Sequence, residues 1–363
     1  MEGQDCESTF TLEDAIDSIG FGQFQMLILL YAGISWMAEA MEMMLLSFVG
    51  PAVQSLWNLT PKEQSFISSV VFGGMMIGAY SWGILSDLKG RRVGFFVTAV
   101  VTFIAGFLSA LSPDYYSLLF CRAIVGVGLG GGHVVSSWFL EFVPSPHRGQ
   151  WMVVFSLFWT VGSVLEASLA WVVMPKLGWR WLLGFSSLPL IILLAFYPLV
   201  PESPWYFTAK GETSKALEIL QKMAMVNKKE LPAGRLISQT SVLKKDKVVE
   251  AAGVEMVQLL PLGPPIVTAD VESRFSIVEQ ITSSLLVLVS PPLVSSTLLL
   301  WFVFFTNAFT YYGLVLLTSQ LSSGYTDCAA EIGPKSLLRK DYNNLYRDVF
   351  ITSLAGIIIC WQV

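Results

Sequence analysis

The chain has 363 residues, 54% of them hydrophobic and only 13% charged, with a mean hydropathy of +0.62. Soluble domains carry about 25% charged residues, so this composition excludes a soluble globular protein and indicates an all-α polytopic membrane protein. The net charge of −5 is spread over loops and tail and offers no basic face to nucleic acid.

Residues 1–23 are acidic, contain neither Lys nor Arg, and do not read as a cleavable signal. They hold a helix-capping pattern, Thr11-Leu-Glu-Asp14, and a short helix that Gly20 and Gly22 terminate. Apolar runs of the roughly 20 residues a bilayer requires follow at 24–49, 65–86, 93–112, 116–141, 150–174 and 181–200. A long polar stretch contains one amphipathic helix, Glu212–Val226, whose Ala216, Leu217, Leu220, Met223 and Ala224 recur at helical spacing. A seventh span covers 292–318, a polar loop follows, and Val363 falls midway into an eighth apolar run. The expected division is an N-terminal segment (1–23), a six-helix bundle (24–200), a polar loop (201–291) and the start of a second bundle (292–363).

Trp57, Trp151, Trp179 and Trp181 fall at predicted span ends, where indole prefers the headgroup level. Asn58-Leu-Thr60 is a glycosylation sequon by letter, but it lies close to the bilayer and precedes Pro61. Cysteines at 6, 121, 328 and 360 form no CxxC, so no metal site and no disulfide framework is expected. The run Gly126-x-Gly128-x-x-Gly131 matches a dinucleotide fingerprint by letter, yet it lies inside an apolar helix, where close helix packing explains it. No nucleophile–base constellation stands out, so neither an enzyme nor a cofactor is expected.

The densest charge near the first spans is Gly83–Arg92, GILSDLKGRR, a short basic hairpin that must lie at a membrane surface. With the N-terminus inside, the basic residues of the short loops number seven on each side. Charge therefore does not decide orientation.

The hairpin's Gly83-x-x-x-Asp87-x-x-Gly90-Arg91-Arg92 resembles the loop between helices two and three of the major facilitator superfamily, with Leu88 where a basic residue is common. Arg122 with its glycine run, Glu141-Phe-Val-Pro144 with Arg148-Gly149, and Pro201-Glu-Ser-Pro204 resemble further motifs of the sugar and organic-ion porters. Residues 15–25, 36–44 and 307–317 are similar to the synaptic-vesicle-two-related branch, though Gln23 replaces its usual basic residue and 238–290 depart from its pattern. The resemblance implies twelve helices in two six-helix bundles, a cytosolic N-terminus, a membrane that includes vesicles among its candidates, and secondary-active transport of a small organic-ion-like solute. A seven-helix receptor is the rival, but it would place the hairpin's charges outside without a reason. The chain as given covers the first bundle plus one to two helices of the second, so lipid or a membrane-protein partner would take the place of later helices. The corresponding expectation is a chain that does not transport as a monomer.

Ionisable residues inside spans are functional candidates. At a helical rise of about 1.5 Å per residue, Glu39, Glu166 and Asn307 lie roughly 22–24 Å above the inner ends of their spans, and Arg122 about 9 Å below the outer face, hence about 21 Å up in a core of about 30 Å. Glu39 or Glu166 is expected to pair with Arg122, Glu39 being favoured by resemblance. Such a pair either couples transport to protons or ties helices together, and both alternatives stand. Glu42 shares a face with Glu39 and is expected near the outer interface. Tyr311 and its neighbour Tyr312 either line a cavity or pack. The resemblance further implies that Gly83, Asp87, Gly90, Arg91 and Arg92 brace the inner loop, with Glu141 and Arg148 as a second brace.

Overall fold

A computed structural model describes residues 9–237, 286–291, 293–330, 347 and 349–351. The divergent stretch 238–285, the polar loop 331–346, most of the eighth apolar run, and Cys6 and Cys360 lie outside the described residues. The chain forms two compact units, one holding residues 1–241 and 318–363, the other 242–317.

In the first unit, α1 (Leu12–Ile19) begins as its capping pattern requires. Asp14 N–H donates to Thr11 Oγ1 while Thr11 N–H and Oγ1–H donate to the Asp14 carboxylate. That bonding holds the Asp14 carboxyl below its ordinary range, the Thr11 hydroxyl contributing most. The first span, α2 (Gln23–Trp57), runs through Pro51, eight residues past the predicted end at 49. A proline inside an apolar helix is tolerated where neighbours re-satisfy the freed backbone. Next come α3 (Pro61–Lys89), capped by Thr60 with Pro61 at its first turn, and α4 (Arg91–Ala110) after the single residue Gly90. Thr60 Oγ1 bonds to Glu63, so the sequon residue Thr60 serves as a helix cap.

Asp114 caps α5 (Tyr115–Leu129), which breaks at Gly130–Gly131 and continues as α6 (Gly132–Leu140). The remaining spans are a 3₁₀ turn running into α7 (Arg148–Val173), and α8 (Trp179–Ser186) with α9 (Leu188–Phe196). These six spans, with the first part of α12 (Val294–Ala330), give seven helices among the described residues long and apolar enough to cross a membrane. The tryptophans frame the bundle. Trp57 meets Trp179 edge-on at 5.7 Å, and Trp151 stacks on Phe21 beside the α1 end.

Two short helices follow, α10 (Pro204–Ala209) and α11 (Thr213–Asn227). They close the α1 end of the bundle. Leu12, Ala15, Ile16 and Ile19 pack in one core with Ala216, Leu220, Met223 and Ala224. A two-residue parallel pairing of β1 (Thr9–Phe10) with β2 (Arg235–Leu236) extends that contact. Asn227 then fastens the start of α2, accepting from Phe24 N–H at 2.9 Å and donating to Gln25 Oε1 at 2.7 Å.

The spans pack through small residues, as helix association in lipid favours. Gly74 and Gly78 of α3 lie on the α5 backbone at Ala123 and Val127, and Gly126 of α5 lies on the α3 backbone at Val71. An added Cβ at any of the three would overlap main-chain atoms, which have no rotamer to escape into. The same logic joins Gly162 of α7 to Met37 of α2. The glycine run is a packing seam.

Gly126→Val should therefore destabilise the bundle by about 1–3 kcal/mol or more through overpacking, read as a lower thermal midpoint in detergent. Gly149→Ala, where an added Cβ meets nothing within 4 Å, should stay within about 0.5 kcal/mol of the parent. Equal stability of Gly126→Val and the parent would refute the seam.

Candidate functional site

The fold buries a charged cluster in the first unit. Arg122 of α5 and Glu42 of α2 form an ion pair at 3.0 Å, Nη1 to Oε2, and both side chains have 0% exposure. Glu166 of α7 is also fully buried, and Ser186 Oγ lies 2.8–2.9 Å from both its carboxylate oxygens and 2.8 Å from Leu182 O, with one hydroxyl proton to share among them. It is electrostatically coupled to Glu42 and Arg122. Arg122 Nε and Nη2 and Glu42 Oε1 have no hydrogen-bond partner among the described residues. Gly106 of α4 makes room for the Glu42 carboxylate and the Ser187 hydroxyl.

The partners differ from those expected. Glu42 does not reach the outer interface. Because α2 continues to Trp57, Glu42 lies about 22 Å before the helix end at 1.5 Å per residue. Glu42, not Glu39 or Glu166, takes Arg122. Three residues of α-helix give about 4.5 Å of rise and about 60° of rotation. That offset turns the Glu39 carboxylate onto Gly132 at the start of α6, where an added Cβ would overlap it. Glu166 stands beside the pair, held by Ser186. Asn307 and Tyr311 lie on α12 in the second unit and are exposed there.

At the α1 end, the hairpin motif forms a second network. Arg91 pairs with Asp87, donates from Nε to Glu141 at 3.1 Å and from Nη1 to Ser86 Oγ at 3.0 Å. Gly90 holds φ +106°, a left-handed value that favours glycine, and the Glu202 carboxylate occupies the space a Cβ would need. Glu202 accepts from Arg92 N–H at 3.1 Å, and the Arg92 guanidinium lies 4.7 Å from the Tyr197 ring centroid. Gly83 sits about two turns before Gly90, beside the His133 ring. Burial pushes the carboxyls of Glu141 and Glu202 above the usual range; Arg91 pulls the first back, and backbone N–H groups the second.

The expected Glu141–Arg148 brace does not form. Arg91 takes Glu141, while Arg148 turns to Val143 O at 3.3 Å and to Glu13 of α1 at 3.9 Å. Sequence reading missed Glu202, although Pro201-Glu-Ser-Pro204 carried it, and missed Glu13 and Asp17, which bond Ser145. Helical period does not reveal contacts between residues 110 or more positions apart.

Arg91→Ala should cost about 1–3 kcal/mol, because it leaves a half-buried carboxylate without its cation. Arg148→Ala should cost at most about 1 kcal/mol, as for exposed ion pairs. Thermal unfolding of the two variants measures this order, and the reverse order would reinstate the Glu141–Arg148 pairing.

The family described as "Sugar (and other) transporter" matches residues 28–320. Organic cation/carnitine transporter 7 of Arabidopsis thaliana is 53% identical over 358 residues, covering 97% of this chain and 69% of its own. Synaptic vesicle 2-related protein of Xenopus laevis is 36% identical over 356 residues, covering 96% of this chain. The chain spans 58% of the length of the Xenopus protein. Among solved structures, the xylose transporter XylE from E. coli, in a partially occluded inward open conformation, superposes with a TM-score of 0.52 at 20% identity. That superposition covers 63% of this chain and 60% of XylE, and it bears on the fold alone.

Proposed function

The chain belongs to the sugar (and other) transporter family, a multi-pass membrane transporter family of the major facilitator fold, and on that premise we propose that it serves proton-coupled, alternating-access transport of a small organic cation or zwitterion. The buried Glu42–Arg122 pair carries the reading. A guanidinium without exposure is tolerated only beside a carboxylate, so protonation of Glu42 removes the partner that holds it. Arg122 then has three unsatisfied donor groups and a second carboxyl, Glu166, in its field. Such a change of partner is the two-state element that a proton gradient biases.

The solute class rests on the name of the Arabidopsis relative and on the cluster's sign. Glu42, Glu166 and Arg122 bring two acids and one base, so the ionised cluster attracts cations. Asn307 and Tyr311 on α12 are proposed as solute contacts in their own right. In this reading the N-terminal segment and the 201–291 loop are cytosolic, with Asp87, Arg91 and Glu141 as a brace of one conformation of the hairpin.

Uptake of radiolabelled carnitine and tetraethylammonium into proteoliposomes with an imposed pH gradient tests it. The expected result is saturable accumulation once helices of a second bundle complete the chain, and equilibration without accumulation by Glu42→Gln in the same setting. Undiminished accumulation by Glu42→Gln reduces the pair to a brace, and no uptake by the parent favours a membrane protein that acts through a partner. Orientation has its own test: with the four native cysteines replaced by serine, Leu88→Cys, at a half-exposed site, should react with an impermeant maleimide only after cells are permeabilised. Labelling of intact cells would invert the topology.

A further inference from the structure

We propose that the open cavity at the end of the first unit opposite α1 binds the headgroup of a phospholipid, with Arg180 as the ligand of its phosphodiester. The site is separate from the Glu42–Arg122 pair and goes beyond the transport reading. A cavity of about 500 Å³ opens between the last turn of α2 and the start of α8, lined by Ser55, Leu56, Leu177, Trp179, Arg180 and Trp181. Small-molecule sites occupy about 300–1,000 Å³. Both helix ends are span ends, so the cavity stands at headgroup level.

The guanidinium is fixed before any ligand arrives. Arg180 Nη2 donates to Ser112 O, between α4 and α5, at 2.9 Å, and its Cζ lies 4.4 Å from the centroid of the Trp179 ring. Trp179 is itself buried and meets Trp57 of α2 edge-on. Two contacts thus hold an exposed side chain that otherwise samples many rotamers. Among the described residues Ser112 O is its one hydrogen-bond acceptor, and no carboxylate lies within ion-pair distance of it. A guanidinium has five N–H donors, so most of the fork is free for an anion.

The surroundings select which anion. Arg180 is the one charged residue of the lining, and the segment 174–180 carries Lys176 and Arg180 but no acid. Asp114, two residues past Ser112, is engaged in capping α5 through the N–H groups of Tyr116 and Ser117. A planar fork suits a phosphate, which it meets through two parallel N–H···O bonds. The Ser55 hydroxyl donates to Ala52 O at 3.0 Å, which leaves its oxygen as an acceptor for a headgroup hydroxyl. The rest of the wall is apolar: Leu56, Leu177 and Trp181 are each about half exposed. A soluble phosphate gains nothing from those side chains, whereas the glycerol and first acyl methylenes of a lipid bury them. An amphiphile with a phosphate head fits both parts of the cavity.

The test is thermal unfolding of the purified, delipidated chain in detergent, titrated separately with dioleoyl phosphatidylglycerol, with dioleoylglycerol, which lacks the phosphate, and with glycerol 3-phosphate, which lacks the chains. Lipid at ten times its Kd shifts the folding equilibrium about elevenfold, or about 3–6 °C for a unit of this size. The expected result is a saturable rise with phosphatidylglycerol alone, in the parent and in Lys222→Gln, and none in Arg180→Gln. Where Arg180→Gln does not fold, Leu177→Glu, at a half-exposed position, sets a competing carboxylate in the cavity wall and should suppress the response. An equal rise with phosphatidylglycerol in parent and variants overturns the proposal, as does a rise with dioleoylglycerol that matches it. A rise with glycerol 3-phosphate alone overturns it too and gives Arg180 to a soluble anion. The transport reading is decided separately, by uptake with Glu42→Gln.

Discussion

A guanidinium with no exposed surface sits inside a bundle that belongs in hydrocarbon, and much of the first unit is arranged around that fact. The uncompensated cost of such a charge is several kcal/mol even after relaxation. Glu42 offsets it from α2, Glu166 adds a second acid from α7, and Ser186 on α8 satisfies that acid in turn. Four spans that share no local sequence relationship are thereby tied at one level.

Such a cluster requires that helices approach closely, and small residues allow it. Gly106 leaves space for the Glu42 carboxylate, and Gly132 for that of Glu39. The α3–α5 seam of Gly74, Gly78 and Gly126 brings backbones into contact, with Trp82 Nε1–H reaching Val127 O at 2.6 Å. Glycine in this bundle thus has two uses, contact between helices and room for buried acids. At the α1 end the same economy recurs at Gly90, where left-handed backbone and a carboxylate neighbour coincide.

Much of this was legible in the residues. Span existence followed from hydropathy, and the boundaries mostly fell within a few residues; the Thr11 cap was legible as a local signal, whereas the caps Thr60 and Asp114 were not. Nor was the end of α2, since Pro51 imitates a helix stop that neighbouring helices here override. Depth counted along a span put Glu39, Arg122 and Glu166 in one layer, but it set Glu42 at the outer interface, whereas Glu42 is the buried partner of Arg122. Which acid meets the guanidinium depends on rotation about each helix axis and on lateral packing. Neither has a sequence signal, so Glu42 displaced Glu39 and Arg91 displaced Arg148.

The dependence of the bundle on its buried pair is most directly measured by a double-mutant cycle on Glu42→Gln and Arg122→Met, read as unfolding free energy in mixed micelles. Each single variant strands a buried charge and should cost about 3–5 kcal/mol. The double variant strands neither and should recover most of that loss, with a coupling of at least about 2 kcal/mol. Additive losses, with no recovery in the double variant, would contradict the account.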